Sequence, residues 1–227
     1  MTDTPVTPTP LAGWSDAAQV EWYVDRIGKL EARQAGERML ADVMPPAPRR
    51  VLDLGCGDGR LAALVLTERP TVEAIVAVDV SPPMLERARE RFADENRVEV
   101  RAWDLRHPLT PLGTFDLIVS GFALHHLEDP RKQQLFAEAA AQLTPAGVFV
   151  NLEVVASATP QRHAEFLIAI GRTHDDPEDR LATIEDQLAW MRDAGLTNVD
   201  CVWRWRGFAL LIGEVPHQTP SDTGSLR

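Results

Sequence analysis

Arg50-Val51-Leu52-Asp53-Leu54-Gly55-Cys56-Gly57-Asp58-Gly59-Arg60-Leu61 runs from a short apolar strand through a glycine-rich turn into a helix. Glycine adopts positive φ without penalty and lets a ligand approach the backbone closely. Glycines at the alternate positions 55, 57 and 59 therefore build a surface that a bound molecule can nearly touch. The N–H groups around Gly57 and Gly59, with the N-terminus of the next helix, favour a carboxylate or another anion. The nicotinamide-binding spacing G-x-G-x-x-G requires glycine where Arg60 stands, so that fingerprint is not met. Asp53, two residues before the first glycine, suits a cationic amino group better than a pyrophosphate. Asp79, twenty residues beyond Gly59 at a strand end, has the position from which a carboxylate binds ribose hydroxyls.

Outward from this turn, strand and helix patterns alternate. Strands are expected at 50–54, 74–78, 98–102, 115–120 and 148–155, with helices over 61–67, 83–95 and 131–143. Such alternation specifies a parallel sheet covered on both faces, with right-handed crossovers. Asp53, Asp79, Asp104 and Ser120 then share the carboxyl edge of the sheet, where open sheets bind ligands. Before the sheet, helices are expected over 15–23 and 25–44, with Ser15 or Asp16 as a cap and Pro45-Pro46 as a stop. After it come a helix over 161–170, a polar run at 174–180 read as exposed, and a helix that follows Thr183, runs through Ala194 and is ended by Gly195. Segments 199–205 and 208–212 form an antiparallel hairpin about Arg206-Gly207, which brings the strands to seven. The expected fold is α/β and Rossmann-like, a mostly parallel sheet with an antiparallel C-terminal hairpin and helices on both faces. One domain spans 12–215, with an N-terminal helical lid at about 14–44 and an insertion at about 156–182. Residues 1–11 and 216–227 read as disordered tails.

The 227 residues, 44% apolar and 25% charged, are enough for one sizeable core. No run approaches the roughly 18 apolar residues of a membrane span, and the first ten residues lack the pattern of an export signal. Cys56 and Cys201 are too few for a disulfide framework, so a reduced, cytoplasmic setting is expected. A net charge of −11 repels a phosphate backbone, and Arg49-Arg50 is a short basic run. Composition thus argues against nucleic acid and for a small organic partner.

The ordered segments VLDLGCGDG, VAVDVSPPMLERAR, WDL, FDLIVSGFALHHL and PAGVFVNLE resemble the class I S-adenosylmethionine-dependent methyltransferases, over about residues 38–155. The resemblance implies S-adenosylmethionine as cofactor. It places Asp53, Gly55 and Gly57 against the methionine part, with Gly59 supporting the turn. Asp79 takes the ribose hydroxyls, and Val80 and Met84 face the adenine. Asp104 matches the residue near the adenine amino group, Leu105 lies beside the ring, and Ser120 with Gly121 faces the cofactor. Trp22 and Tyr23 are read as part of a lid over the cofactor, or as ordinary docking of a helix onto the sheet.

A sulfonium is already an activated methyl donor, so the protein's main tasks are alignment and exclusion of water. A base is needed only where the acceptor carries a proton. His125 and His126, after the fourth strand, have a counterpart in related small-molecule methyltransferases; they serve as proton acceptors or shape the loop through hydrogen bonds. His163 and Glu153 are further candidates to orient or deprotonate an acceptor. No H-E-x-x-H arrangement supports a metal. Trp203 and Trp205 share one strand face and belong to the core, an acceptor site or a homodimer surface. Methyl transfer to a small molecule leads; an RNA or protein methyltransferase and a non-catalytic cofactor-binding regulator are the competing readings.

Overall fold

Alternate residues of a strand point to opposite faces, so the uniformly apolar strands of this chain require cover on both. The structure, a computed structural model, describes residues 12–217, and the tails expected at 1–11 and 216–227 lie outside the described residues except for Pro216 and His217. One sheet holds β1 (Arg50–Leu54), β2 (Ala74–Asp79), β3 (Val98–Ala102), β4 (Phe115–Gly121), β5 (Leu143–Val154), β6 (Thr197–Trp205) and β7 (Phe208–Glu214). The order is β3-β2-β1-β4-β5-β7-β6, parallel as far as β5 and antiparallel for β7 and β6. Helices α1 (Ala17–Ile27), α2 (Glu31–Val43), α3 (Arg60–Glu68), α4 (Pro82–Arg91), α5 (Asp129–Gln142), α6 (Pro160–Ala169) and α7 (Ile184–Asp193) surround it.

Alternation sorts the core into two layers. Val51, Leu117, Val119 and Val150 pack with Leu40 of α2 and Leu61, Ala62 and Val65 of α3. Leu52, Leu54, Ile118 and Phe149 pack with Leu135, Phe136 and Ala139 of α5 and Met191 of α7. β1 pairs with β2 on one side and with β4 on the other, so strand order reverses at β1. A crevice opens beyond the carboxyl ends at such a point, and the glycine turn leaves from that end of β1.

Element ends differ from expectation where tertiary contacts intervene. The break between the first helices falls at 28–30 rather than at residue 24: α1, capped by Asp16 accepting from Ala18 N at 2.8 Å, continues through Asp25 to Ile27 and ends at Gly28. α4 stops at Arg91 instead of Glu95, since Phe92 leaves helical geometry and packs its ring against Gly59. β5 begins at Leu143, and the expected turn at 145–147 is absorbed as an irregularity in its ladder to β4. Trp203 and Trp205 are partly buried against the α2–α3 layer. Among the described residues, no helix is long and apolar enough to cross a membrane.

Candidate active site

The glycine turn has positive φ at Gly55 (68°), Gly57 (55°) and Gly59 (80°). A Cβ on Gly55 would lie 2.2 Å from that of Ala123, and one on Gly59 would lie 2.4 Å from the Phe92 ring. At Gly57 the nearest atom would be Met84 Sδ at 3.8 Å. Gly55 and Gly59 therefore permit packing, whereas Gly57 leaves room in a cleft. The donors expected to face an anion are engaged by the protein itself: Gly57 N donates to Asp79 Oδ2 at 2.8 Å, and Gly59 N to Cys56 O at 2.9 Å.

Asp53 is fully buried; its Oδ2 accepts from Ala62 N at 3.0 Å, while Oδ1 has no partner among the described residues. Burial pushes this carboxyl up to about 7 against the pull of the Ala62 donor, with Asp79 and Asp58 adding to the rise. Asp79 closes β2 and also accepts from Ser81 N at 2.8 Å; burial raises its proton affinity, opposed by these backbone donors. Asp104 is gripped by the Arg106 guanidinium, at 2.5 Å for the shortest contact, which outweighs burial and lowers its titration point.

These groups converge on a cleft enclosing about 940 Å³, part of it continuous with solvent. Of the candidates, Tyr23, Asp53, Gly55, Gly57, Asp79, Val80, Met84, Asp104, Leu105 and His126 line it, as does Gly121. Gly59 does not, and Ser120 turns its hydroxyl into the sheet, donating to Leu54 O at 2.9 Å. Trp22 lies in α1, and its side chain is outside the described residues. The cleft also has walls that sequence reasoning missed. Arg33 of α2 donates to Glu37 Oε1 at 2.9 Å and to the Tyr23 hydroxyl at 3.0 Å, with its guanidinium over the Phe122 ring. A helical Arg-x-x-x-Glu pair reads as a surface contact, and nothing local signals that both residues are buried.

A second cavity adjoins the cleft, sharing Trp14, Tyr23, Phe122 and His126 with it. Trp14 stands edge-on to Tyr23 and His126, with ring centroids 4.9 and 5.8 Å away. Ser81 donates its hydroxyl to Trp14 O at 2.6 Å, which ties the N-terminal turn Ala12–Ser15 to the start of α4. Apolar walls come from Phe166, Leu167 and Ile170 at α6 and from Phe208 of β7.

Both adjacent histidines and His163 line this cavity. His125, on the turn Leu124–His126, donates through Nδ1 to Glu153 Oε1 at 2.6 Å. Its Nε2 lies 3.6 Å from Asp179 Oδ1, as does His126 Nδ1. Burial opposes charge on His125, but Glu153 and then Asp179 outweigh it, so proton affinity is raised above the ordinary histidine value. His126, buried and next to His125, is pushed down to about 2. His163 contacts Asp175 through Nε2 and approaches Ser157 Oγ at 3.4 Å through Nδ1. Asp179 belongs to the run read as exposed; it is in fact drawn inward against the histidines, with ligand-type atoms of all three within 4.8 Å of one another.

A family model described as a methyltransferase domain matches residues 51–147. A trans-aconitate 2-methyltransferase from Rhodococcus jostii is 37% identical over 187 residues, covering 78% of this chain and 69% of the relative. The chain belongs to the class I S-adenosylmethionine-dependent methyltransferases. An uncharacterized methyltransferase from Mycobacterium tuberculosis is 38% identical over 124 residues, 55% of this chain, which spans 58% of that relative. In fold, the chain is similar to an O-methyltransferase family protein from Burkholderia thailandensis, with a TM-score of 0.73 and 20% identity over 93% of this chain and 66% of the other.

The residues present fit S-adenosylmethionine, the cofactor of this family of methyltransferases. The unpartnered Asp53 Oδ1 offers a carboxylate to a cationic amino group, and Gly57 leaves the space beside it clear. Trp14 Nε1 and Trp103 Nε1, on the same cleft, are buried donors without partners among the described residues.

Proposed function

We propose that this methyltransferase methylates a hydroxyl of a small molecule held in the second cavity, with His125 as general base and Glu153 as its positioning residue. When bound, S-adenosylmethionine supplies a methyl group on a sulfonium, open to an in-line nucleophile. Asp53 would hold its amino group, Arg33 its carboxylate and Asp79 its ribose; Val80, Met84, Asp104 and Leu105 would frame the adenine.

The observation that carries the proposal is the His125–Glu153 contact on the wall of a cavity that adjoins the cofactor cleft. Donation from Nδ1 to the carboxylate fixes the tautomer and leaves Nε2 to accept a proton from the acceptor hydroxyl. The cofactor, when bound, would supply the methyl carbon to the hydroxyl oxygen and carry away the carbon–sulfur electron pair, while His125 Nε2 holds the proton taken from that hydroxyl. Trp14 and Tyr23 roof the junction and exclude water.

Transfer of labelled methyl from S-adenosylmethionine to a metabolite panel tests the activity. His125→Ala is expected to lower kcat by about 10²–10⁴-fold and leave the affinity for S-adenosylhomocysteine within about twofold. An unaltered kcat would remove His125 from the chemistry. His125 must be neutral to act, and its raised proton affinity places the acid limb of the pH–rate profile above the ordinary histidine value. Glu153→Gln takes away the charge that holds the proton, so the limb should move down while kcat falls. A limb that stays put would exclude Glu153 as the positioning residue. Excess EDTA should leave the rate unchanged if the His125–His126–Asp179 group works through protons, and chelator inhibition would contradict that.

A further inference from the structure

We infer that the acceptor is an uncharged or cationic hydroxylated ring compound, and that its cavity rejects polycarboxylates; this rests on the second cavity being the acceptor site. The cavity encloses about 570 Å³, within the range of small-molecule sites. Its apolar side is aromatic: Phe166 meets Phe208 edge-on with centroids 5.1 Å apart, and Phe122 lies 4.7 Å from Phe208. A flat ring matches such walls, because aromatic faces and edges pair favourably.

The polar side is acidic. Asp175, Asp176 and Asp179 stand on the wall, and among the described residues of that wall Arg172 is the sole arginine or lysine. Arg172 is already matched by carboxylates, at 3.7 Å from Asp176 and 4.0 Å from Asp179. His163 is committed to Asp175. Behind His125, Glu153 is 1% exposed and its Oε2 has no partner among the described residues, adding negative potential to the same end. A tricarboxylate entering here would meet like charges without the bidentate arginines that normally receive carboxylates. A carboxylate acceptor also carries no proton for a base to remove, which would leave the His125–Glu153 pair without a task. A neutral hydroxyl uses that pair, and an ammonium substituent gains from the aspartates.

The preference is read by titrating the full chain, saturated with S-adenosylhomocysteine, with 2-naphthol, tyramine and trans-aconitate. At least one of the first two should bind tenfold or more tightly than trans-aconitate. Asp176→Asn should improve trans-aconitate binding severalfold and leave 2-naphthol unaffected. Equal or tighter binding of trans-aconitate, or its methylation as the best acceptor of the three, would overturn the inference and keep the methyltransferase reading. Absence of binding by all three with S-adenosylhomocysteine held would also overturn it. Failure to bind S-adenosylhomocysteine would remove the donor site on which both depend.

Discussion

Asp53 combines two demands that conflict. A carboxyl moved by burial from 3.8 to about 7 costs folding ~4 kcal/mol once it ionises, at about 1.4 kcal/mol per pH unit. The sign follows from the raised value: the folded state holds the proton more tightly, so stability is full below 3.8 and is lost as pH climbs through about 7. Asn cannot ionise, and its side-chain oxygen can still accept from Ala62 N. Asp53→Asn should therefore melt higher than wild type at pH 8, by about 4 °C or more, with the gap narrowing toward pH 5. The same substitution should weaken S-adenosylmethionine by at least about tenfold, since a charge–charge contact becomes a neutral one. Differential scanning at both pH values and calorimetry check the pair of effects. An equal or lower melting temperature at pH 8 would show that the buried charge is not a burden on the empty fold. Asp53 was legible because it stands in a local pattern with its glycines. Arg33 and Asp179 were not, because their importance comes from partners in distant elements.

The N-terminal turn Ala12–Ser15 carries Trp14 onto the wall of both cavities and is tied at one edge to the start of α4. Ser81 is 1% exposed, caps α4 by accepting from Met84 N at 3.4 Å, and donates to Trp14 O at 2.6 Å. Ser81→Ala removes both contacts. Loss of a helix cap costs about 1 kcal/mol, and the turn that carries Trp14 over both cavities loses its fastening. The expected result is a severalfold higher KM for the donor and faster amide exchange over residues 12–16, with the sheet core unaltered. Exchange that stays slow there would mean that the aromatic contacts of Trp14 suffice to hold the turn. Apart from β5, which starts five residues before the expected 148, the strands were readable within a residue or two, since their apolar runs and bounding turns are local signals. Helix ends were less so: Phe92 leaves α4 to fill the space under Gly59, and no feature of the helical pattern announces it. The acidic run at 174–180 reads as solvated for the same reason, although the fold carries Asp179 to the histidines.

The cleft lies where the strand order reverses, and its walls come from segments spread across the chain: the N-terminal turn, α2, the ends of β1 and β2, and the turn after β4. A ligand there would touch both the sheet ends and the N-terminal turn, so its binding energy should appear as stability of the cooperative unit. At a free concentration one hundred times Kd, binding to the folded state alone adds about 2.7 kcal/mol. For a chain of this size each kcal/mol raises Tm by roughly 2–4 °C, so S-adenosylhomocysteine should raise Tm by about 5–10 °C in a single transition. NAD should leave it unmoved, because Arg60 stands where the dinucleotide turn needs glycine and Asp53 faces the place of a pyrophosphate. A comparable shift with NAD would overturn the donor assignment. A split transition, with one phase insensitive to S-adenosylhomocysteine, would show that the C-terminal hairpin and α6 fold independently of the cleft. Against that outcome, Phe122 on the cleft wall packs on Phe208 of β7, which in turn meets Phe166 of α6, so cleft, hairpin and second cavity share one apolar contact chain.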